Sequence, residues 1–223
     1  MDAVLLFSGQ GAQKVGMGKD LYDQYPVAKA LIEQADKALG ESLSAVMFEG
    51  PGEELTRTCN CQPALYVHGL ACLAVLKELV PSLNPVAAAG LSLGEFTAHA
   101  AAGTYSFEEG LRLVQKRGAF MEEACNATKG TMAAMIGGTD ENVIKLAQEC
   151  DVDVANFNCP GQTVVSGTEE GVAKAVAGAK AAGCKIAKKL NVAGAYHSRL
   201  MHSAMVKLAE ELKNISFGTP SMP

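Results

Sequence analysis

A short apolar run, Val86–Ala89, leads directly into Gly90-Leu91-Ser92-Leu93-Gly94, and Glu95 to Ala102 follow as small, helix-compatible residues. A strand, G-x-S-x-G and a helix in immediate succession leave a chain few ways to fold. The backbone must turn sharply between two elements that pack closely, and the two glycines permit it. Ser92 is then held at the tip, on the positive end of the following helix. From there its hydroxyl can attack a carbonyl, and the N–H of Leu93 can help hold the resulting oxyanion. Five residues of this kind also arise by chance, so the flanking strand and helix carry the reading.

The rest of the composition suits such a fold. The chain has 223 residues, 48% hydrophobic and 19% charged, with a formal charge of -5. That is enough for a sizeable core and for one domain or two. Mild acidity without a basic stripe argues against a nucleic-acid surface. Lys185, Lys188 and Lys189 cluster, and a solvated edge explains them. No apolar run reaches the length of a membrane span, and no charged segment precedes the apolar N-terminal residues, so the cytosol is the expected location. Cys 7 is an odd count, scattered without a disulfide framework, which suits a reduced compartment. Cys59-Asn60-Cys61 lacks the C-x-x-C spacing of a zinc site, and no metal is expected.

Read in order, Ala3–Phe7 is a buried strand, and Gly9-Gln10-Gly11-Ala12-Gln13 follows at its carboxyl end. A dinucleotide fingerprint would need glycine where Lys14 stands, so that reading fails. The turn can still present N–H groups and a side-chain amide to a ligand. Pro26–Leu39 has helical periodicity, Ser44–Phe48 reads as a short helix, and Pro63 suits the first turn of a buried helix over Ala64–Leu79. Phe107–Ala119 reads as a helix with Arg112, Lys116 and Arg117 near its end, where cations are ordinarily dipole partners. After Gly130 the pattern becomes β-α-β-β-α-β, the ferredoxin-like order, which predicts a small domain inserted at 126–196. The main domain, 1–125 and 197–223, is expected to be α/β and hydrolase-like with a parallel sheet. Its last helix carries Leu200, Ala204, Leu208 and Leu212, and Ile215–Phe217 could start another strand.

A serine nucleophile needs a base, and the candidates are His68, His99, His197 and His202. His68 lies in a buried helix, His99 is two turns along the helix after Ser92, and His202 sits on a mixed helical face. His197 occupies a loop-to-helix junction beside small residues, the best position of the four, though position alone leaves the others open.

Taken together, Phe7-Ser8-Gly9-Gln10-Gly11-Ala12-Gln13, Gln62-Pro63-Ala64, Gly90-Leu91-Ser92-Leu93-Gly94-Glu95, Gln115-Lys116-Arg117-Gly118, Asn158-Cys159-Pro160-Gly161-Gln162 and Gly194-Ala195-Tyr196-His197-Ser198 occur in register. In this the chain resembles the malonyl-CoA:acyl carrier protein transacylases of fatty-acid synthesis and the acyltransferase domains of polyketide synthases, over about residues 3 to 217. The resemblance implies ping-pong acyl transfer, with Ser92 as the nucleophile and His197 as its base. It implies that Arg117 pairs with the malonyl carboxylate, replacing the dipole reading, and that Gln10 and the Leu93 N–H form the oxyanion site. Gln62, Met121, Asn158 and Gln162 are implied to line the substrate cleft. The acyl donor would be malonyl-CoA and the acceptor the phosphopantetheine thiol of acyl carrier protein, with no cofactor of the enzyme's own.

Two departures stand against the pattern. Leu91 occupies a position where the family usually has histidine, and family members usually run further, with another strand, a loop that orients the histidine, and a closing helix. A main domain lacking that part is expected to bare a sheet edge and an apolar face. The rival readings are an esterase or thioesterase of the same fold, and a truncated, non-catalytic piece that binds acyl carrier protein.

Overall fold

The computed structural model describes residues 1–223, which form two compact units: Met1–Ala119 with Glu210–Pro223, and Phe120–Ala209. The first unit begins with β1 (Asp2–Phe7) and continues through α1 (Lys19–Gln24), α2 (Pro26–Leu39), α3 (Leu43–Glu49), α4 (Gly52–Thr56) and α5 (Thr58–Leu79). Next come β2 (Asn84–Gly90), α6 (Leu93–Ala101) and α7 (Phe107–Ala127), whose later residues belong to the second unit. β1 and β2 pair in parallel, from Asp2 opposite Asn84 to Phe7 opposite Gly90.

One face of this sheet is covered. Leu5 packs there with Ile32, Leu65, Tyr66, Leu70, Leu93 and Leu111, a core drawn from several helices. Val4 and Leu6 alternate onto the other face and stay exposed, at 58% and 78%, as does Val86 of β2. Alternation at period 2 forces that division once Leu5 is buried.

α5 departs from expectation in two ways. It begins at Thr58, which puts Pro63 inside the helix instead of in its first turn. It is also 22 residues long with mean hydropathy 1.3 over its most apolar stretch, so by length and composition it could cross a membrane, against the expectation that no run would. Most of that stretch, 61%, is buried within the protein, as a core helix requires. Ile215–Phe217 forms no strand. The Phe217 ring packs edge-on to Tyr105 and the Gly218 N–H donates to the Thr104 carbonyl, so these residues are engaged by a loop, not by a strand edge.

The second unit contains β3 (Gly130–Ile136), α8 (Asp140–Glu149), β4 (Asp153–Cys159), β5 (Gln162–Thr168), α9 (Glu169–Gly178), β6 (Ile186–Lys189) and all but the last residues of α10 (His202–Leu212), which begins after a short turn of tighter helix at Arg199–Met201. Its sheet is antiparallel in the order β4-β5-β3-β6. Ala133, Met135 and Val165 face α8 and α9 in one core. Met132, Ala134 and Val164 face the other way, onto Met121, Ala124, Tyr196, Met201 and Ala204. That second layer is why the unit reaches Phe120 and Ala209. Helix α9 stops at Gly178, and the chain leaves it through turns closed by Ala182 N–H to Gly178 O.

Candidate active site

Ser92 stands between β2 and α6 with φ 53 and ψ -104, outside the favoured regions for an L-residue. The two glycines around it are dictated by contact. A Cβ on Gly90 would lie 1.9 Å from the backbone carbon of Gly94, and one on Gly94 would lie 2.1 Å from the Phe7 carbonyl oxygen. The Leu91 N–H also donates to that carbonyl, at 3.2 Å. The end of β1 therefore presses directly on the turn, and Gly9 lies close enough that a Cβ would come within 2.6 Å of the Leu91 carbonyl oxygen. Gln10 sits in the same loop, half-buried. Leu93 is the first residue of α6, and its N–H is one of those a helix leaves without an intrahelical partner.

Arg117 shares this neighbourhood. It is not in a last helical turn, because α7 continues to Ala127. It is only 8% exposed, and its Nη2 donates to Ser92 Oγ at 3.0 Å while Nη1 donates to Gln62 Oε1 at 2.6 Å. Its guanidinium lies 5.2 Å from the centre of the Phe96 ring. Close approach of α7 to α5 allows this, since a Cβ on Gly118 would meet the Thr58 carbonyl oxygen at 2.6 Å. Burial pulls the guanidinium pKa down to about 10, with the Glu95 charge acting in the opposite sense, so Arg117 is a cation at neutral pH. A buried cation held only by neutral hydrogen-bond partners is suited to receive an anion. The sequence did not single out Phe96, although its place one helical turn after Ser92 was a usable signal.

The remaining predicted residues lie in the second unit. His197 is exposed and takes φ 57 at the start of the turn into Arg199–Met201. Asn158 lies one residue before the end of β4 and its Nδ2 donates to Gln162 Oε1 at the start of β5, at 3.3 Å, across the Pro160–Gly161 hairpin. Met121 is buried in α7. The other histidines have local partners: His68 faces the Cys72 thiol along α5, and the His99 Nδ1 lies 3.3 Å from Thr104 Oγ1. His202 opens α10. All seven cysteines are free thiols.

A serine on a strained strand-to-helix turn, with a buried arginine on its oxygen, sets a hydroxyl beside a cation in one site. The chain belongs to the acyl transferase family, whose domain matches residues 4–223. It is 47% identical over 212 residues to the malonyl CoA-acyl carrier protein transacylase of Bacillus subtilis (strain 168), a match covering 93% of this chain and 66% of that relative. The corresponding transacylase of Escherichia coli (strain K12) is 41% identical over 222 residues, covering 98% of this chain and 72% of its own length. Among solved structures, a malonyl-transacylase in complex with a type II PKS acyl-carrier protein superposes with a TM-score of 0.94 at 39% identity, covering 99% of this chain and 72% of that one. The chain thus spans about two thirds of the length of these relatives.

Proposed function

We propose that this protein moves a malonyl group from malonyl-CoA to the phosphopantetheine thiol of acyl carrier protein, for fatty-acid synthesis. Relatives that carry this activity in their names support the reaction, and a relative solved with an acyl-carrier protein supports the acceptor. The single observation that carries the reading in this chain is the Arg117 guanidinium on Ser92 Oγ. An ester formed on that oxygen holds a β-carboxylate one short arm away, where a planar fork can take both of its oxygens. A simple esterase has no use for a buried cation there.

The chemistry is two acyl transfers, from the thioester to the Ser92 oxygen and from the resulting ester to the acceptor thiol. Ser92 Oγ adds to the malonyl carbonyl as His197 accepts the hydroxyl proton. Gln10 and the Leu93 N–H hold the oxyanion, and coenzyme A leaves as its thiol after taking the proton from His197. The acceptor thiol then repeats the steps in reverse, which makes the kinetics ping-pong. Gln62 orients Arg117, and Met121, Asn158 and Gln162 contact substrate. No cofactor enters, because the acyl group arrives already activated as a thioester.

We also propose a hydrolase-like domain over 1–125 and 197–223 and a ferredoxin-like insertion over 126–196. The strand order β4-β5-β3-β6, with α8 and α9 in one core, supports the latter. Free thiols throughout support a cytosolic setting.

Intact-mass measurement after mixing with malonyl-CoA tests the reading. One malonyl adduct is expected, and none on Ser92→Ala. An adduct that persists on the alanine variant would overturn the assignment of Ser92.

A further inference from the structure

His197 is one of the few non-glycine residues of this chain with positive φ. Such a backbone persists only where its surroundings over-determine it. On the upstream side, packing does this. A Cβ on Gly194 would lie 2.3 Å from Cys125 Sγ, and one on Gly130 would lie 2.6 Å from the Ala195 side chain. Tyr196 is buried against Met132, Val164 and Met201, and its hydroxyl hydrogen-bonds the Cys125 thiol. Ser198 Oγ donates back to the Ala195 carbonyl at 2.7 Å and accepts from the Leu200 N–H.

On the downstream side, Asp153 performs the same task. Its Oδ2 accepts the main-chain N–H of Arg199 at 2.7 Å. The same carboxylate takes the guanidinium of Arg199, from Nε at 3.1 and 3.2 Å and from Nη2 at 2.9 Å. Asp151 accepts from Nη1 at 2.7 Å. Asp153 opens β4 and stands opposite Ser166 of β5, in the sheet that buries Tyr196. An exposed ion pair contributes little to stability in general. This one also binds the backbone of the same residue, which fixes a geometry that a simple pair does not.

We infer that Asp153 is a positioning residue for His197, anchoring through Arg199 the turn that carries the imidazole to the sheet beneath it. The inference rests on the reading of His197 as the base for Ser92. A misplaced base costs rate and leaves substrate binding alone, and displacement by about 1 Å can cost on the order of a hundred-fold.

The test is single-turnover malonylation of the protein by malonyl-CoA, quenched rapidly and followed by intact mass, with folding of each variant checked by circular dichroism. Asp153→Ala is expected to lower the maximal acylation rate roughly ten- to hundred-fold with an unchanged half-saturating concentration. Asp153→Asn and Arg199→Lys keep part of the contact and should fall between it and the unaltered protein. Lys174→Ala removes an exposed ion pair on α9 and should change nothing. A wild-type maximal rate in folded Asp153→Ala, or a loss confined to half-saturation, would overturn the inference. If Asp153→Ala does not fold, the two milder variants decide by the same criterion. His197→Ala separates the two readings. Full acylation there removes His197 as base, whereas an inactive His197→Ala beside an unaffected Asp153→Ala removes only the positioning role.

Discussion

Arg117 Nη2 donates to Ser92 Oγ at 3.0 Å, so a buried cation touches the hydroxyl on the strained turn. On the proposed reading, substrate selection and bond formation are separated by no more than one side chain. An acyl group without a carboxylate leaves the guanidinium with its neutral partners, Ser92 and Gln62.

Arg117→Ala should therefore lose malonyl transfer far more than acetyl transfer. A charged contact left unmade in a closed site costs on the order of 2–5 kcal/mol, or roughly thirty- to several-thousand-fold in kcat/KM. Rates with malonyl-CoA and acetyl-CoA on one preparation check this. Equal losses on both substrates would leave Arg117 no role in selection. Arg117→Lys should recover only part of the preference, because an ammonium cannot reach Gln62, Ser92 and a carboxylate as a planar fork does.

Gly94→Ala should damage the turn itself. Its methyl would arrive 2.1 Å from the Phe7 carbonyl oxygen, and backbone cannot retreat as a side-chain tip can. Overpacking of this kind costs about 1–3 kcal/mol and sometimes more. A lowered melting temperature together with loss of Ser92 labelling by a sulfonyl fluoride is the expected pair of results. Normal labelling would mean that the contact yields.

The Asp153 carboxyl is pushed up by partial burial, but the hydrogen bonds and charge of Arg199 outweigh this and hold its pKa below the usual carboxylate value. The folded state then binds fewer protons than the unfolded one in that range, so the contact stabilises above about pH 4 and is lost as pH falls through the folded pKa. Calorimetric scans should show Asp153→Asn melting below the unaltered protein at pH 7, with the gap closing in acid. A gap that stays constant into acid would contradict the ionic nature of the contact.

Leu6, 78% exposed on the open face of β1, should promote association beside Val4 and Val86. Leu6→Lys is expected to lower the apparent mass in light scattering at high concentration without lowering the melting temperature. An unchanged mass would show that this face is not what drives association.

The elbow was legible because its signal is local: strand, glycine, serine, glycine and helix are contiguous from Val86 to Ala102. The order β3 to β6 was legible for the same reason. The depth of Arg117 was not. Helix α7 changes its buried partners at Phe120, from the first core to the cluster around Met121 and Ala124, and its buried face carries Arg117 and Gly118 where an apolar stripe would continue, so the sequence suggests an end there. Pro63 misled in a related way, because it marks a helix start by preference, and the turns before it were held by tertiary contacts such as Thr58 against Gly118. Ile215–Phe217 had the composition of a strand, but Phe217 and Gly218 are taken up by Tyr105 and the Thr104 carbonyl instead of a strand edge. Nothing in the sequence joins Asp153 to Arg199, since the pairing exists only once β4 and the 195–201 turn meet.

The pressing of Phe7 on Gly94 also bears on when the protein becomes reactive during folding. Neither β2 nor α6 can shape the turn at Ser92 alone, because its backing is a carbonyl from the far N-terminal end of the chain. Closing so long a loop is slow beside the formation of a helix. Nucleophile reactivity in a refolding chain should consequently appear late, after most of the helical signal has returned. On the proposed reading, Ser92 would then be harmless to thioesters until β1 has docked.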